Sequence, residues 1–211
     1  MTAHRGRRLN DAVTQMWGFL SPIYDLPVLQ QQVYRPPHDA VIAQLQAQKS
    51  QRIADIACGT GVLTTRIERD LRPEEIYGVD MSEGMLDKAR SKSAGVTWMR
   101  GPAEQLPFQD RSLDAVVTTT AFHFFNQPVA LREFHRVLAP GGLVAVTAIA
   151  SRGARVQAPA GNLWKPQHNA TAAEFRALFE GAGFAIKAQH RIPRPLWMSV
   201  LFDLITVGTR D

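Results

Sequence analysis

A single cysteine, Cys58, occurs among the 211 residues. It has no second thiol with which to form a disulfide or a thiolate metal cluster, so a reducing, cytoplasmic setting is expected. No apolar run approaches the roughly 18 residues that crossing a bilayer requires, and no membrane span is expected. Arg5, Arg7 and Arg8 are not followed by an apolar core, because Asn10, Asp11 and Gln15 interrupt the segment; a secretory signal is therefore not expected either. Clusters of carboxylates or histidines at metal-ligand spacing are missing, and no metal is expected. The net charge is +5, yet no Lys/Arg block gathers it. The basic residues read as a solvated surface more than as a nucleic-acid footprint.

What is present is the makeup of one globular unit, with 45% apolar and 20% charged residues and enough length for a continuous core. From about residue 50 onward, strand-like apolar runs alternate with helical patterns, which implies a parallel sheet with helices on both faces. The strands are expected over Arg52 to Ala57, Glu75 to Asp80, Val96 to Arg100, Leu113 to Thr119, Leu143 to Ile149, Phe184 to Gln189 and Val200 to Val207. Helices are expected over Thr60 to Asp70, Ser82 to Lys92, Asn126 to Leu138 and Thr171 to Ala182. Ser82 and Asn126 read as N-caps, Pro128 fits a first turn, and Thr171 with Glu174 spells a capping box. The fold class is thus α/β, a Rossmann-like, seven-stranded, mostly parallel sheet. Residues 1–48 form an N-terminal extension or lid, with a helix from His38 to Gln46, ahead of a ligand-binding domain over 49–211. A Gly/Pro-interrupted stretch over 151–170 reads as a long loop, and Leu138-Ala-Pro-Gly-Gly142 as a turn that launches the fifth strand.

The first strand, Ile53-Ala-Asp-Ile-Ala57, runs into Cys58-Gly-Thr-Gly61 and then a helix. Glycines at the carboxyl end of a central strand let a ligand's polar groups approach backbone N–H groups and the helix dipole. Asp80 ends the second strand about 20 residues later, the spacing at which a carboxylate can accept from a ribose diol. Both features suit a dinucleotide enzyme as well as another nucleoside cofactor. Asp55 separates the two, since a carboxylate just ahead of the glycines repels a pyrophosphate but can help hold a cationic amino group. Thr64 also occupies the position of a dinucleotide fingerprint's third glycine. S-adenosylmethionine is favoured over NAD.

Five blocks in order carry a resemblance: Asp55-Ile-Ala-Cys-Gly-Thr-Gly61, Gly78-Val-Asp-Met-Ser82, Ala103-Glu-Gln-Leu-Pro-Phe108, Ser112-Leu-Asp-Ala-Val116 and Arg136-Val-Leu-Ala-Pro-Gly-Gly142. Over roughly residues 50 to 190 the chain resembles the class I S-adenosylmethionine-dependent methyltransferases, in particular the group of quinone-biosynthesis and phospholipid methyltransferases. The resemblance implies that Asp55, Ala57, Cys58, Gly59, Thr60 and Gly61 hold the methionine part of the cofactor. It places Asp80 at the ribose hydroxyls, Met81 against an adenine face, and Pro102, Ala103 and Glu104 along the adenine edge. Two positions depart from the family pattern. Ala57 stands where many members have a first glycine, and Pro102 where many have an aspartate that accepts from the adenine amino group, which leaves Glu104 or backbone carbonyls for that task.

Thr118-Thr-Thr-Ala-Phe-His-Phe-Phe125 follows the fourth strand, where open α/β sheets build their sites. Thr119 is expected at the cofactor, and His123 as a base or substrate-orienting group, because imidazole titrates near neutral pH. Tyr24-Asp25 is similar to a Tyr-Asp pair in a flap of the quinone methyltransferases, and Tyr24 over a sulfonium would attract it by cation–π interaction. Phe19, Phe122, Phe124 and Trp164 would suit an acceptor with apolar character. The expected activity is methyl transfer from S-adenosyl-L-methionine to a small-molecule or lipid-like acceptor such as a quinone or phenol, and the chain could act as a homodimer. An RNA methyltransferase is the runner-up, on the basic pI and Arg152, Arg155 and Lys165, although no module for gripping RNA is apparent. A cofactor-binding scaffold without catalysis is the third reading.

Overall fold

The computed structural model describes residues 33–149, 170–194 and 203–211. Phe19, Tyr24, Asp25, Arg152, Arg155 and Trp164 lie outside the described residues, as does Lys165. Strands β1 (Arg52–Ile56), β2 (Glu75–Asp80), β3 (Thr97–Arg100), β4 (Leu113–Thr119), β5 (Leu138–Ile149), β6 (Phe184–Arg191) and β7 (Asp203–Arg210) form one seven-stranded sheet. Its order is β3-β2-β1-β4-β5-β7-β6, with β7 antiparallel to both its neighbours and the remaining pairs parallel. This is the expected Rossmann-like α/β fold. From β1 the chain winds outward through β2 and β3, then returns to place β4 on the other side of β1. The crevice that this reversal opens at the carboxyl ends of β1 and β4 is where such sheets take ligands.

Helices α1 (Arg35–Gln48), α2 (Val62–Leu71), α3 (Glu83–Arg90), α4 (Gln127–Val137) and α5 (Ala172–Gly181) flank the sheet. Val41 and Leu45 of α1 and Leu63 and Ile67 of α2 pack with Ile53, Ala115, Val117 and Ala145 in one cluster. Leu131 and Phe134 of α4 and Phe175 and Phe179 of α5 pack with Ile56, Val116 and Val144 in the other. Burying apolar area at roughly 25 cal/mol per Å² supplies the main stabilising term on both faces. Helix α1 starts three residues earlier than its apolar stripe predicts, at Arg35. Pro36 and Pro37 fit there because first-turn N–H groups need no intrahelical partner.

Ser82 caps α3 by accepting from Met85 N, and Thr171 with Glu174 completes the capping box of α5. Two local expectations are corrected. Asn126 makes no side-chain cap for α4; its backbone N donates instead to Glu104 Oε1 at 2.7 Å, so the Pro128 first turn is tied down by a residue from another loop. Leu138-Ala-Pro-Gly-Gly142 is not a turn ahead of β5 but its irregular first half. Leu138 pairs with Leu113, Leu143 with Ala115, and the register shifts between them, which a left-handed Gly141 at φ 77° permits. At the far edge, the side chains of Arg194 and Asp203 form an ion pair that is almost wholly buried, with Arg194 Nε donating to Asp203 Oδ2 at 2.6 Å.

Candidate functional site

Beyond β1 the backbone turns through left-handed positions at Ala57 (φ 56°), Gly59 (φ 56°) and Gly61 (φ 77°) before α2 begins. Helix α2 therefore starts two residues after Thr60, the expected first residue. The two glycines serve different ends. A Cβ on Gly59 would meet nothing within 4 Å, so the space beside it is open. A Cβ on Gly61 would lie 2.4 Å from the Trp98 ring, and one on Gly78 2.3 Å from the same ring. Those two glycines leave room for the Trp98 indole, whose Nε1 donates to Ser93 O at 3.1 Å. Ala57 takes its left-handed conformation at a cost of roughly 1–2 kcal/mol that glycine would not incur.

Asp55 is 1% exposed, at the bottom of this turn. Its Oδ2 accepts from Thr64 Oγ1 at 2.6 Å. Burial, helped by the neighbouring Asp80 charge, pushes its carboxyl up to about 7, against the Thr64 hydrogen bonds that favour the ionised form. Thr64, recognised in the sequence only as a glycine that is missing, is thus the direct partner of the key carboxylate. Only a helical turn placed over the strand brings positions 55 and 64 together.

Asp80 at the end of β2 accepts from Gly59 N at 2.9 Å and from Ser82 N at 2.8 Å. It braces the glycine turn against α3 as well as facing the crevice. Burial raises its carboxyl above the usual range, opposed by these backbone N–H groups.

A cavity of about 360 Å³ opens where these elements meet. Among the sequence-predicted residues it is lined by Asp55, Ala57, Cys58, Gly59 and Thr60 from the first loop, by Asp80, and by Thr119 and His123 from the β4 side. Gly61, Met81, Pro102, Ala103 and Glu104 do not line it. Gly61 packs on Trp98, Ala103 is core, and Glu104 is engaged by Asn126. The 101–105 segment nonetheless lies beside Asp80, since Gly101 N donates to Asp80 O at 3.1 Å. Tyr34 and His38 of the N-terminal region also line the cavity, as do Met85, Thr120 and Phe124. No lysine or arginine does so among the described residues. A larger groove, about 510 Å³, lies at the opposite end of the sheet, between the start of β2 and α2. It contains none of the predicted site residues.

His123 sits on a 3₁₀ turn, Phe122–Phe124, with its ring centroid 4.0 Å from that of Phe124. Its buried Nδ1 has no hydrogen-bond partner among the described residues, and burial lowers its pKa. His38 was not anticipated as a site residue. It is 5% exposed, on the same face of α1 as Val41 and Leu45, and burial together with nearby Arg66 lowers it to about 3. The available signal was a histidine at i, i+3 and i+7 spacing in an otherwise apolar stripe, which reads equally as core.

Comparison with known proteins agrees with this geometry. Residues 53–142 match the family model described as a methyltransferase domain. A demethylmenaquinone methyltransferase of Staphylococcus aureus is 39% identical over 111 residues, which covers 49% of this chain and 45% of that protein. The chain thus spans about half the length of the curated relatives that it matches. Among solved structures, an S-adenosylmethionine-dependent methyltransferase of Thermotoga maritima superposes with TM-score 0.71 at 23% identity, covering 93% of this chain and 99% of that one. The magnesium protoporphyrin IX methyltransferase of Synechocystis, solved with its S-adenosylmethionine, gives TM-score 0.65 at 18% identity over 90% of this chain and 88% of that one. These structures share the fold.

Proposed function

We propose that this chain, whose residues 53–142 match a methyltransferase-domain family model, transfers a methyl group from S-adenosylmethionine to a small or amphipathic acceptor such as a quinol, lipid or phenol. One observation carries the reading: the cavity holds two carboxylates, Asp55 and Asp80, and no cationic side chain among the described residues that line it. A site of that sign attracts a ligand with an ammonium and a sulfonium and repels a pyrophosphate. The quinol is favoured within this class by the demethylmenaquinone methyltransferase relative. A cytoplasmic location agrees with the lone cysteine.

In this reading Asp55, kept in place by Thr64, takes the amino group of the cofactor. The open flank of Gly59 admits its methionine part, and Asp80 accepts from the ribose hydroxyls. Thr119 borders the methyl-transfer end, while Met81, Pro102, Ala103 and Glu104 stand on the adenine side, next to Asp80. Bound there, the cofactor supplies a methyl group already activated by the positive charge on its sulfur. The protein's part is then to align the acceptor in line with that bond and to keep water out. The acceptor atom contributes the electron pair of the new bond, the sulfur keeps the pair of the old one, and the acceptor gives up a proton. In this reading His123 takes that proton, supported by an Nδ1 without a partner among the described residues.

The test is methyl transfer from radiolabelled S-adenosylmethionine to a reduced quinone, a simple phenol, phospholipid vesicles and total RNA, alongside calorimetric titration with S-adenosylhomocysteine. Label in a small acceptor, lost in His123→Ala, is expected. Label in RNA alone would support the nucleic-acid reading, tight cofactor binding with no transfer a scaffold, and no cofactor binding would overturn the proposal.

A further inference from the structure

Among the described residues, five other than glycine adopt positive φ: Lys49, Ala57, Arg72, Arg111 and Thr120. Lys49 and Arg72 are ordinary left-handed helix ends. Thr120, at φ 58°, is the β-branched member of the set, and a branched side chain in that region is a true outlier because both its γ atoms crowd the backbone. It is pinned there by the sheet. Thr119 pairs with Thr147 in the β4–β5 register, and Thr120 N donates to Thr147 O at 3.0 Å. A glycine would satisfy the same hydrogen bond without strain.

Thr120 lines the cavity together with its neighbours Thr119 and Ala121, and the lining also includes His123, Phe124 and the carboxylates Asp55 and Asp80. Its hydroxyl has no hydrogen bond to any other described residue. Strain of this kind persists where the surroundings over-determine it, and it clusters at binding and active sites. We propose that the Thr120 hydroxyl is a specificity-determining contact, which hydrogen-bonds a hydroxyl or carbonyl oxygen of an uncharged aromatic acceptor and orients it toward His123. The absence of a lysine or arginine among the described lining residues disfavours a carboxylate or phosphate in that position. The inference rests on the methyltransferase reading for its orientation, with the cofactor on the carboxylate side.

The experiment titrates 1,4-dihydroxynaphthalene, under anaerobic conditions, into protein already saturated with S-adenosylhomocysteine, for the wild type and for Thr120→Val, Thr120→Ser and Thr120→Gly. The valine variant keeps the branching and removes the hydroxyl. Its affinity for the diol should fall by about 3- to 10-fold, the scale of one lost hydrogen bond. The serine variant should stay within about 2-fold of wild type. The glycine variant should lose the same affinity as valine while its Tm rises by about 2–4 °C, since strain is relieved. It keeps the test open if the valine variant does not fold. S-adenosylhomocysteine affinity should be unchanged throughout. A glycine variant that gains stability and still binds the diol as wild type does would overturn the proposal, and so would a wild type that binds S-adenosylhomocysteine but not the diol. Failure to bind S-adenosylhomocysteine at all would strike the proposed function instead.

Discussion

If Asp55 receives the amino group of the cofactor, its proton has to leave when the cofactor binds, and affinity becomes a function of pH. The buried carboxyl lies at about 7 in the free protein. It is mostly ionised at pH 8 and about one-eleventh ionised at pH 6. A ligand that binds only the ionised form should bind about tenfold more weakly at pH 6 than at pH 8, and should release close to one proton at the lower pH. Titration calorimetry with S-adenosylhomocysteine in buffers of different ionisation enthalpy reads both quantities. Asp80 titrates nearby and its carboxyl is raised too, so Asp55→Asn identifies the group: the variant should bind more weakly at pH 8 and lose the pH slope.

Stability should run the other way. A carboxyl whose pKa is raised on folding stabilises the protein below the unfolded value near 4. That contribution is lost as pH rises through the folded value, here over about pH 4 to 7. With three units of separation the loss amounts to roughly 4 kcal/mol at most, so Asp55→Asn should make the free protein more stable at pH 8. A dissociation constant that is flat from pH 6 to 8, with no proton released, would refute the assignment of Asp55 to the amino group.

Asp80→Ala should weaken cofactor binding by roughly 1–3 kcal/mol and also cost stability on a similar scale, because its carboxylate serves the Gly59 and Ser82 N–H groups; calorimetry and thermal melts separate the two losses. Gly59→Ala should fold with only the left-handed penalty of about 1 kcal/mol yet bind cofactor poorly. Gly61→Ala should lose more stability than that, since its Cβ meets Trp98 at 2.4 Å, and equal melting temperatures for the pair would contradict this division of labour. Asp203→Ala should destabilise the protein, because it removes the buried carboxylate to which Arg194 Nε donates; chemical denaturation measures it.

Much of this molecule is legible along the chain because its signals are local. Strands β2 and β4 fall on their expected residues, since both are short apolar runs bounded by polar ends. Ser82 and Thr171 announce their caps because a cap needs only its own next three residues. The glycine loop, Asp55 and Asp80 were recognisable because strand ends bring spaced positions to one edge of a parallel sheet. Element boundaries shifted where backbone conformation outweighed residue type. Ala57 holds a left-handed position without being glycine, and Pro140-Gly-Gly142 reads locally as a turn although it lies inside β5, at the register shift.

The amino-acid sequence by itself determined the α/β alternation, the carboxylate and glycine pattern at the switch point and the kind of ligand they suit, because each depends on spacing within an element or on one strand-to-helix step. Tertiary structure alone decided that Thr64 holds Asp55, that Asp80 braces the glycine turn, that Glu104 serves Asn126, and that His38 and Thr120 reach the cavity. Those contacts join residues from different elements, and which of them meet depends on how helices dock across the sheet. Burial then decides charge: the same aspartate is an ordinary acid on a surface and titrates near neutrality at the bottom of this crevice.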